Sequence, residues 1–262
     1  MALVQPTADA QSPSARTPIV NDFCITFSTI NGSGSATANT TVLRALFRMG
    51  IPVSGKNIFP SNIQGLPTWY TIRVSKDGYI GRVEEDDIVI AMNPATFTRE
   101  VESLKPGGVL LYPDDFRNEI TRNDIFTYPM PVKKLVKESD TPNNLRDYIA
   151  NMVYVGVLAQ MIGIELEKIY MALDFHFKGK KKAIDSNYNI ITAAAECHRR
   201  LHQGGWQHGR RAGFDLRRRA VHRLVSHYPG FLVGRGAERI PAATAERSGD
   251  GQEHLYRRTG RG

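Results

Sequence analysis

Cysteine is scarce in this chain: 262 residues contain two, Cys24 and Cys197. An iron–sulfur cluster takes four thiolates, so any cluster this protein works with is expected on a partner. No Cys/His set has the spacing of a zinc site, and no metal site is expected. Long apolar runs are missing too, and none approaches the ~20 residues that span a bilayer. The opening Met-Ala-Leu-Val-Gln-Pro lacks the basic flank and apolar stretch of a secretory signal. A cytoplasmic protein with no membrane partner is the expectation. No nucleophile and base stand at a spacing that suggests covalent catalysis, so no catalytic residue is assigned.

Lysine is also absent after Lys182. The formal charge of +8 would suggest nucleic acid, but its placement argues otherwise. Residues 1–195 carry 20 basic and 20 acidic side chains, whereas residues 196–262 carry 14 arginines, no lysine and 6 acids. The tail also holds six of the seven histidines. Three segments follow: a disordered leader over 1–21, rich in Ala, Ser, Pro and Thr; a globular domain over 22–195; and a basic tail over 196–262, expected to be disordered.

Within the globular part, Phe23 to Ser28 alternates like a strand, and Cys24 there reads as buried packing. Asn31-Gly32-Ser33-Gly34-Ser35 is a tight turn, and Ala36 to Met49 has helical spacing. Thr68–Val74 and Tyr79–Val83 flank Lys76-Asp77-Gly78 as an expected hairpin. Asp87 to Met92 and Val109 to Tyr112 are apolar runs of strands covered on both faces. Pro94 to Leu104 predicts a helix stopped by Lys105-Pro106-Gly107-Gly108, and Ile125 to Tyr128 one more strand. Helices are expected over 145–162, 165–177 and 181–195. The fold class is α/β: a Rossmann-like, mostly parallel sheet with helices on both faces, followed by C-terminal helices and a disordered tail.

A strand, then Gly32-x-Gly34, then a helix places free backbone N–H groups and a positive dipole end beside the turn. Asn31, Gly32, Ser33, Gly34 and Ser35 are therefore candidates for holding a phosphate, a carboxylate or a cofactor edge. A ligand-free tight turn explains the same residues equally well. A dinucleotide site fits poorly, because Thr37 stands where a third glycine is needed and no acidic residue follows the second strand. Asn62, Gln64 and Gly65 lie in a long connection of the kind that carries binding groups. Lys178 to Lys182 reads as a solvated helix start, with a phosphate contact as the functional alternative. His176 reads as structural, and Glu84 to Asp87 as a solvated turn.

Taken together, Asn31 to Ser35, Phe47 to Ser54 and Lys56-Asn57-Ile58-Phe59-Pro60-Ser61-Asn62-Ile63-Gln64-Gly65-Leu66-Pro67-Thr68-Trp69-Tyr70 resemble the gamma domain of 2-oxoacid:ferredoxin oxidoreductases. Ile90 to Pro94, Lys105 to Gly108 and Phe177 to Lys180 continue the resemblance, which spans about residues 22–195. It is nearest the form in which gamma is fused ahead of the pyrimidine-binding alpha domain. It implies oxidative decarboxylation of a 2-oxoacid to an acyl-CoA by the full complex, with electrons leaving through iron–sulfur clusters to ferredoxin. It also implies that thiamine diphosphate lies between the alpha part and the thiamine-binding beta part. This chain is then expected to bind none of those cofactors and to be inactive alone. CoA, like the others, is implied for the complex. A stand-alone Rossmann-like module for a small anion or nucleotide, and a basic nucleic-acid-binding protein, are the alternatives.

The tail does not resemble the alpha domain in the frame given. Codons can be chosen across Arg218 to Phe231 that, read one base later, spell a string containing YPITP, which resembles that domain's opening. Two further stretches of the tail yield similar words in the same offset. A frameshift near residue 196 is the expectation, with a tail never selected to fold and no specific nucleic-acid partner.

Overall fold

The computed structural model describes residues 21–59, 63–81, 83–116, 120–203, 246–247 and 252–255. The alternating run at the start forms β1 (Asp22–Ile30), and its left-handed turn leads into α1 (Ser35–Arg48). Then follow β2 (Val53–Ile58), β3 (Pro67–Ser75), β4 (Asp86–Ala91), α2 (Phe97–Ser103), β5 (Leu104–Pro113) and β6 (Phe126–Met130). The helical half comprises α3 (Val132–Glu138), α4 (Arg146–Ile162), α5 (Leu166–Phe177) and α6 (Lys181–Gln203). Two short strands, β7 (Glu246–Arg247) and β8 (Gln252–Leu255), come from the tail.

The sheet order is β6-β5-β4-β1-β3-β2-β8-β7. Neighbours β6, β5, β4 and β1 pair in parallel. β3 runs antiparallel between β1 and β2, so β2 again points along β1. Five of the first six strands therefore share one direction, and the mostly parallel α/β fold is present.

Side-chain alternation in β1 explains the two layers. Phe23, Ile25 and Phe27 face a core shared with Val42, Leu46, Tyr154 and Leu158 under α1 and α4. On the opposite face, Val89, Ala91 and Leu110 are covered by Phe97 and Val101 of α2. α4 is buried along almost its whole length, from Ile149 to Ile162. A helix enclosed that fully needs partners on several sides, and α1, α3 and α6 supply them. Cys24 is buried, and desolvation raises its thiol pKa.

Several expectations need correcting. The hairpin over 68–83 does not form. Both edges of β3 are occupied, by β1 over nine residues and by β2 over six. The chain after Gly78 instead crosses the polar face of the sheet, where Ser54 Oγ donates to the Ile80 carbonyl at 3.2 Å. The acidic run is only half solvated. Glu84 and Glu85 are exposed, whereas Asp86 is buried and accepts from Thr26 Oγ1 at 2.7 Å. Asp87 accepts from the Cys24 N–H at 2.9 Å and pairs with Lys105. Lys105 to Gly108 lies inside β5, where a register shift between Asp86 and Ile88 absorbs the irregular backbone. The helix from Pro94 begins as a 3-10 turn capped by Asn93, whose Oδ1 accepts from Ala95 N at 3.0 Å. α3 had no counterpart among the expected helices.

The leader expectation falls on residues 1–20, outside the described residues, but Asn21 at its end is buried. Of the tail, residues 196–203 complete α6, and β8 adds to β2 antiparallel over Val53–Lys56. β2 otherwise ends the sheet, and an edge strand's open N–H and C=O groups pair with any extended segment of suitable length. β7 pairs antiparallel with β8, and the rest of the tail lies outside the described residues.

Candidate functional site

The turn at the end of β1 is built by two left-handed glycines, Gly32 (φ 86°) and Gly34 (φ 82°). Residues with a Cβ pay a steric penalty in that region, so conformation alone favours glycine at both positions. Gly34 serves as the N-cap of α1 and offers no side-chain acceptor. The first N–H groups of α1 point toward the turn without a capping side chain.

The structure brings Gln64 and Gly65 to this turn, a juxtaposition the sequence pattern did not give. The Gly65 N–H donates to the Asn31 carbonyl at 3.0 Å, and the Asn31 N–H donates to the Leu66 carbonyl at 2.8 Å. Asn31 Nδ2 donates to the Ile63 carbonyl at 3.1 Å. Gln64 lies over Gly32 so closely that a Cβ there would meet its Cγ at 2.8 Å. The connection between β2 and β3 is thus locked onto the turn through backbone groups of both segments. Asn62 lies outside the described residues.

The start of α4 closes the other side. Tyr148 lies against Gly34, where an added Cβ would sit 2.4 Å from Cδ1 of the ring. Asn151 Nδ2 donates to the Ser33 carbonyl at 2.7 Å. Deeper in, Thr29 Oγ1 donates to Ser35 Oγ at 2.9 Å, and Tyr154 OH donates to Asn39 Oδ1 at 2.8 Å. Burial holds the Tyr154 hydroxyl well above its ordinary pKa, so it stays a donor across the accessible pH range. The Ser33 hydroxyl is enclosed without a hydrogen-bond partner. His176 Nε2 and Thr37 Oγ1 are 3.1 Å apart in the first turn of α1, and partial desolvation lowers the exposed histidine's pKa.

The arrangement offers hydrogen-bond donors and a helix dipole to an anion, with a half-exposed aromatic ring, Tyr148, at its rim. It offers no acid–base pair. Among the described residues no three His, Cys, Asp or Glu side chains converge as a metal site would need. The two free cysteines lie apart from the turn, Cys24 within the sheet and Cys197 on α6. This donor set fits neither an iron–sulfur cluster nor a metal ion, and no chemical step is derived through one.

The family model for pyruvate ferredoxin/flavodoxin oxidoreductase matches residues 24–197. The chain belongs to this family. The ketoisovalerate oxidoreductase subunit VorA of Methanothermobacter thermautotrophicus is 27% identical over 124 residues, covering 47% of this chain and 25% of its own length. Subunit alpha of 2-oxoacid:ferredoxin oxidoreductase 2 from Aeropyrum pernix is 22% identical over 207 residues, 63% of this chain and 32% of the relative. The chain therefore spans about a quarter to a third of the curated relatives it matches.

Among solved structures, the 2-oxoglutarate:ferredoxin oxidoreductase of Magnetococcus marinus, with 2-oxoglutarate, coenzyme A and succinyl-CoA bound, superposes with a TM-score of 0.62 at 22% identity. That superposition covers 69% of this chain and 32% of the Magnetococcus chain. The PORC subunit of Thermotoga maritima pyruvate oxidoreductase gives 0.55 at 21% identity, covering 67% of this chain and 96% of that subunit. At these identities the superpositions establish the shared fold.

In this family member, the residues that sequence reasoning missed are those of α4. Tyr148, Asn151 and Tyr154 stand more than a hundred positions from the turn they contact. The buried amide of Asn151 inside an otherwise apolar helix is the one local signal that could have marked them.

Proposed function

We propose that this chain supplies the gamma domain of a 2-oxoacid:ferredoxin oxidoreductase, with decarboxylation and electron transfer carried out by other parts of the complex. The observation that carries this reading is the family match over residues 24–197, which takes in β1 through most of α6. A solved stand-alone subunit covered over 96% of its length supports the view that this segment is one structural unit. On this reading the partners are the pyrimidine-binding alpha part and the thiamine diphosphate-binding beta part, with ferredoxin reached through the complex, in the cytoplasm. The globular domain is 22–195.

We further propose that Asn31 to Ser35, with Asn62, Gln64 and Gly65, form an anion-accepting surface on the CoA side of that complex. The first turn of α1, which no side chain caps, leaves backbone N–H groups and the positive dipole end for an anion. The bound coenzyme A in the Magnetococcus relative is consistent with such a role. Calorimetric titration of the purified chain with CoA, NAD and ATP tests this: CoA heat that disappears in Gly34→Val supports the site. Binding of NAD or ATP with no response to CoA favours the stand-alone module. The basic stretch 196–262 is proposed to be out of frame, since the family match and the lysine usage both end near its start. Nucleotide sequence across codons 185–262 decides that point.

A further inference from the structure

We propose that the corner where α5 turns into α6 is a docking surface for an acidic protein partner. This goes beyond the anion site at the glycine turn and rests on different residues. Five cations gather here: Arg44 from α1, and Lys178, Lys180, Lys181 and Lys182 from the α5–α6 connection. The four lysines are exposed, and among the described residues no carboxylate pairs with any of them. Two acids, Asp174 and Asp185, share the stretch and are outnumbered.

The surface is assembled at a local cost. α6 has no acidic residue in its first turn and begins with two lysines, at the end where the helix dipole is positive. Lys180 precedes the helix, its carbonyl accepting from Ala183 and Ile184, and its side chain can only donate. Lys178 holds a left-handed backbone, φ 52°, where glycine or asparagine is the usual choice. The cations at the start of α6 do not favour the isolated fold, and an acidic partner offsets their charge.

Exposed apolar side chains lie on the helix that leads into this corner. Phe175 is 59% exposed and Met171 39% exposed on the same helix. The Arg44 guanidinium lies 4.8 Å above the Phe175 ring. An aromatic residue and methionine beside arginine make up a composition enriched at protein interfaces. One ring face is covered by Arg44, and the rest of the ring is open to an apolar side chain. A protein surface with carboxylates beside an apolar side chain is the complement.

The test uses the full chain and a fluorescent glutamate-rich peptide with one central phenylalanine, at low salt. Wild type is expected to bind, and Lys178→Glu/Lys181→Glu/Lys182→Glu to weaken binding by about tenfold or more, as three exposed charge pairs would. Phe175→Ala should weaken it by roughly threefold, since its contact is partial. The charge-reversed variant should melt within a few degrees of wild type, because the acids gained at the start of α6 offset the one placed at the end of α5. The basic tail is common to all variants, so differences between them belong to the corner. The proposal is overturned if wild type ignores the peptide or if the triple variant binds as wild type does. It is also overturned if Phe175→Ala has no effect while a DNA duplex loses as much affinity as the peptide, which would mark a nonspecific polyanion surface.

Discussion

Gly34 concentrates two demands on one position, a left-handed backbone and room for the Tyr148 ring. Replacing it with alanine is expected to destabilise the chain by about 1–3 kcal/mol, combining the left-handed penalty with displacement of the ring. In a Tyr148→Ala background only the backbone part should remain, about 1–2 kcal/mol, and a double-mutant cycle in urea measures the difference. His176 carries a pH signature. Partial desolvation, with Arg44 as the lesser cause, lowers its pKa below the ordinary 6.5, although the side chain is exposed and the effect is small. The unfolded chain then takes up a proton that the folded one resists, so stability should decline as pH falls below about 6.5. Melting temperature compared at pH 7 and pH 5.5 should show a smaller decline in His176→Gln than in wild type. The turn's glycines were legible as glycines, because a strand followed by Gly-x-Gly and a helix has few other geometries. What covers them was not: Tyr148 and Asn151 contact the turn across the fold, and no local pattern carries that information.

At the scale of elements, the strands and long helices were readable wherever burial imposes a simple pattern. β1 alternates, whereas β4 and the central part of β5 are continuous apolar runs because both faces of the sheet are covered. The failed hairpin shows where such reading stops. Lys76-Asp77-Gly78 does turn the chain, but pairing depends on which neighbour occupies the edge of β3, and β1 holds it. The short α3 escaped because its seven residues are too few to establish a period. The crossing of α4 over α6 depends on a missing side chain. A Cβ at Gly156 would lie 2.1 Å from the Ile191 carbonyl oxygen and 2.9 Å from Cβ of Ala194. Gly156→Ala should therefore force the helices apart and cost roughly 1–3 kcal/mol, seen as a melting temperature lower by several degrees with helical circular dichroism retained.

At the scale of the whole molecule, the chain joins a well-packed family segment to a tail of different composition. Residues 24–197 match the family, while the arginine-rich remainder starts where lysine has already ceased. The described part has a mostly parallel sheet, two cores and a first helix whose N-terminus has no side-chain cap, without the convergent ligands or acid–base pairs that decarboxylation and electron transfer require. The central claim is that this chain is one component of a larger oxidoreductase. It is tested most directly by adding pyruvate, 2-oxoisovalerate or 2-oxoglutarate with CoA to the purified chain and following reduction of methyl viologen. No reduction is predicted from the chain alone; sustained 2-oxoacid-dependent turnover by it would contradict the account.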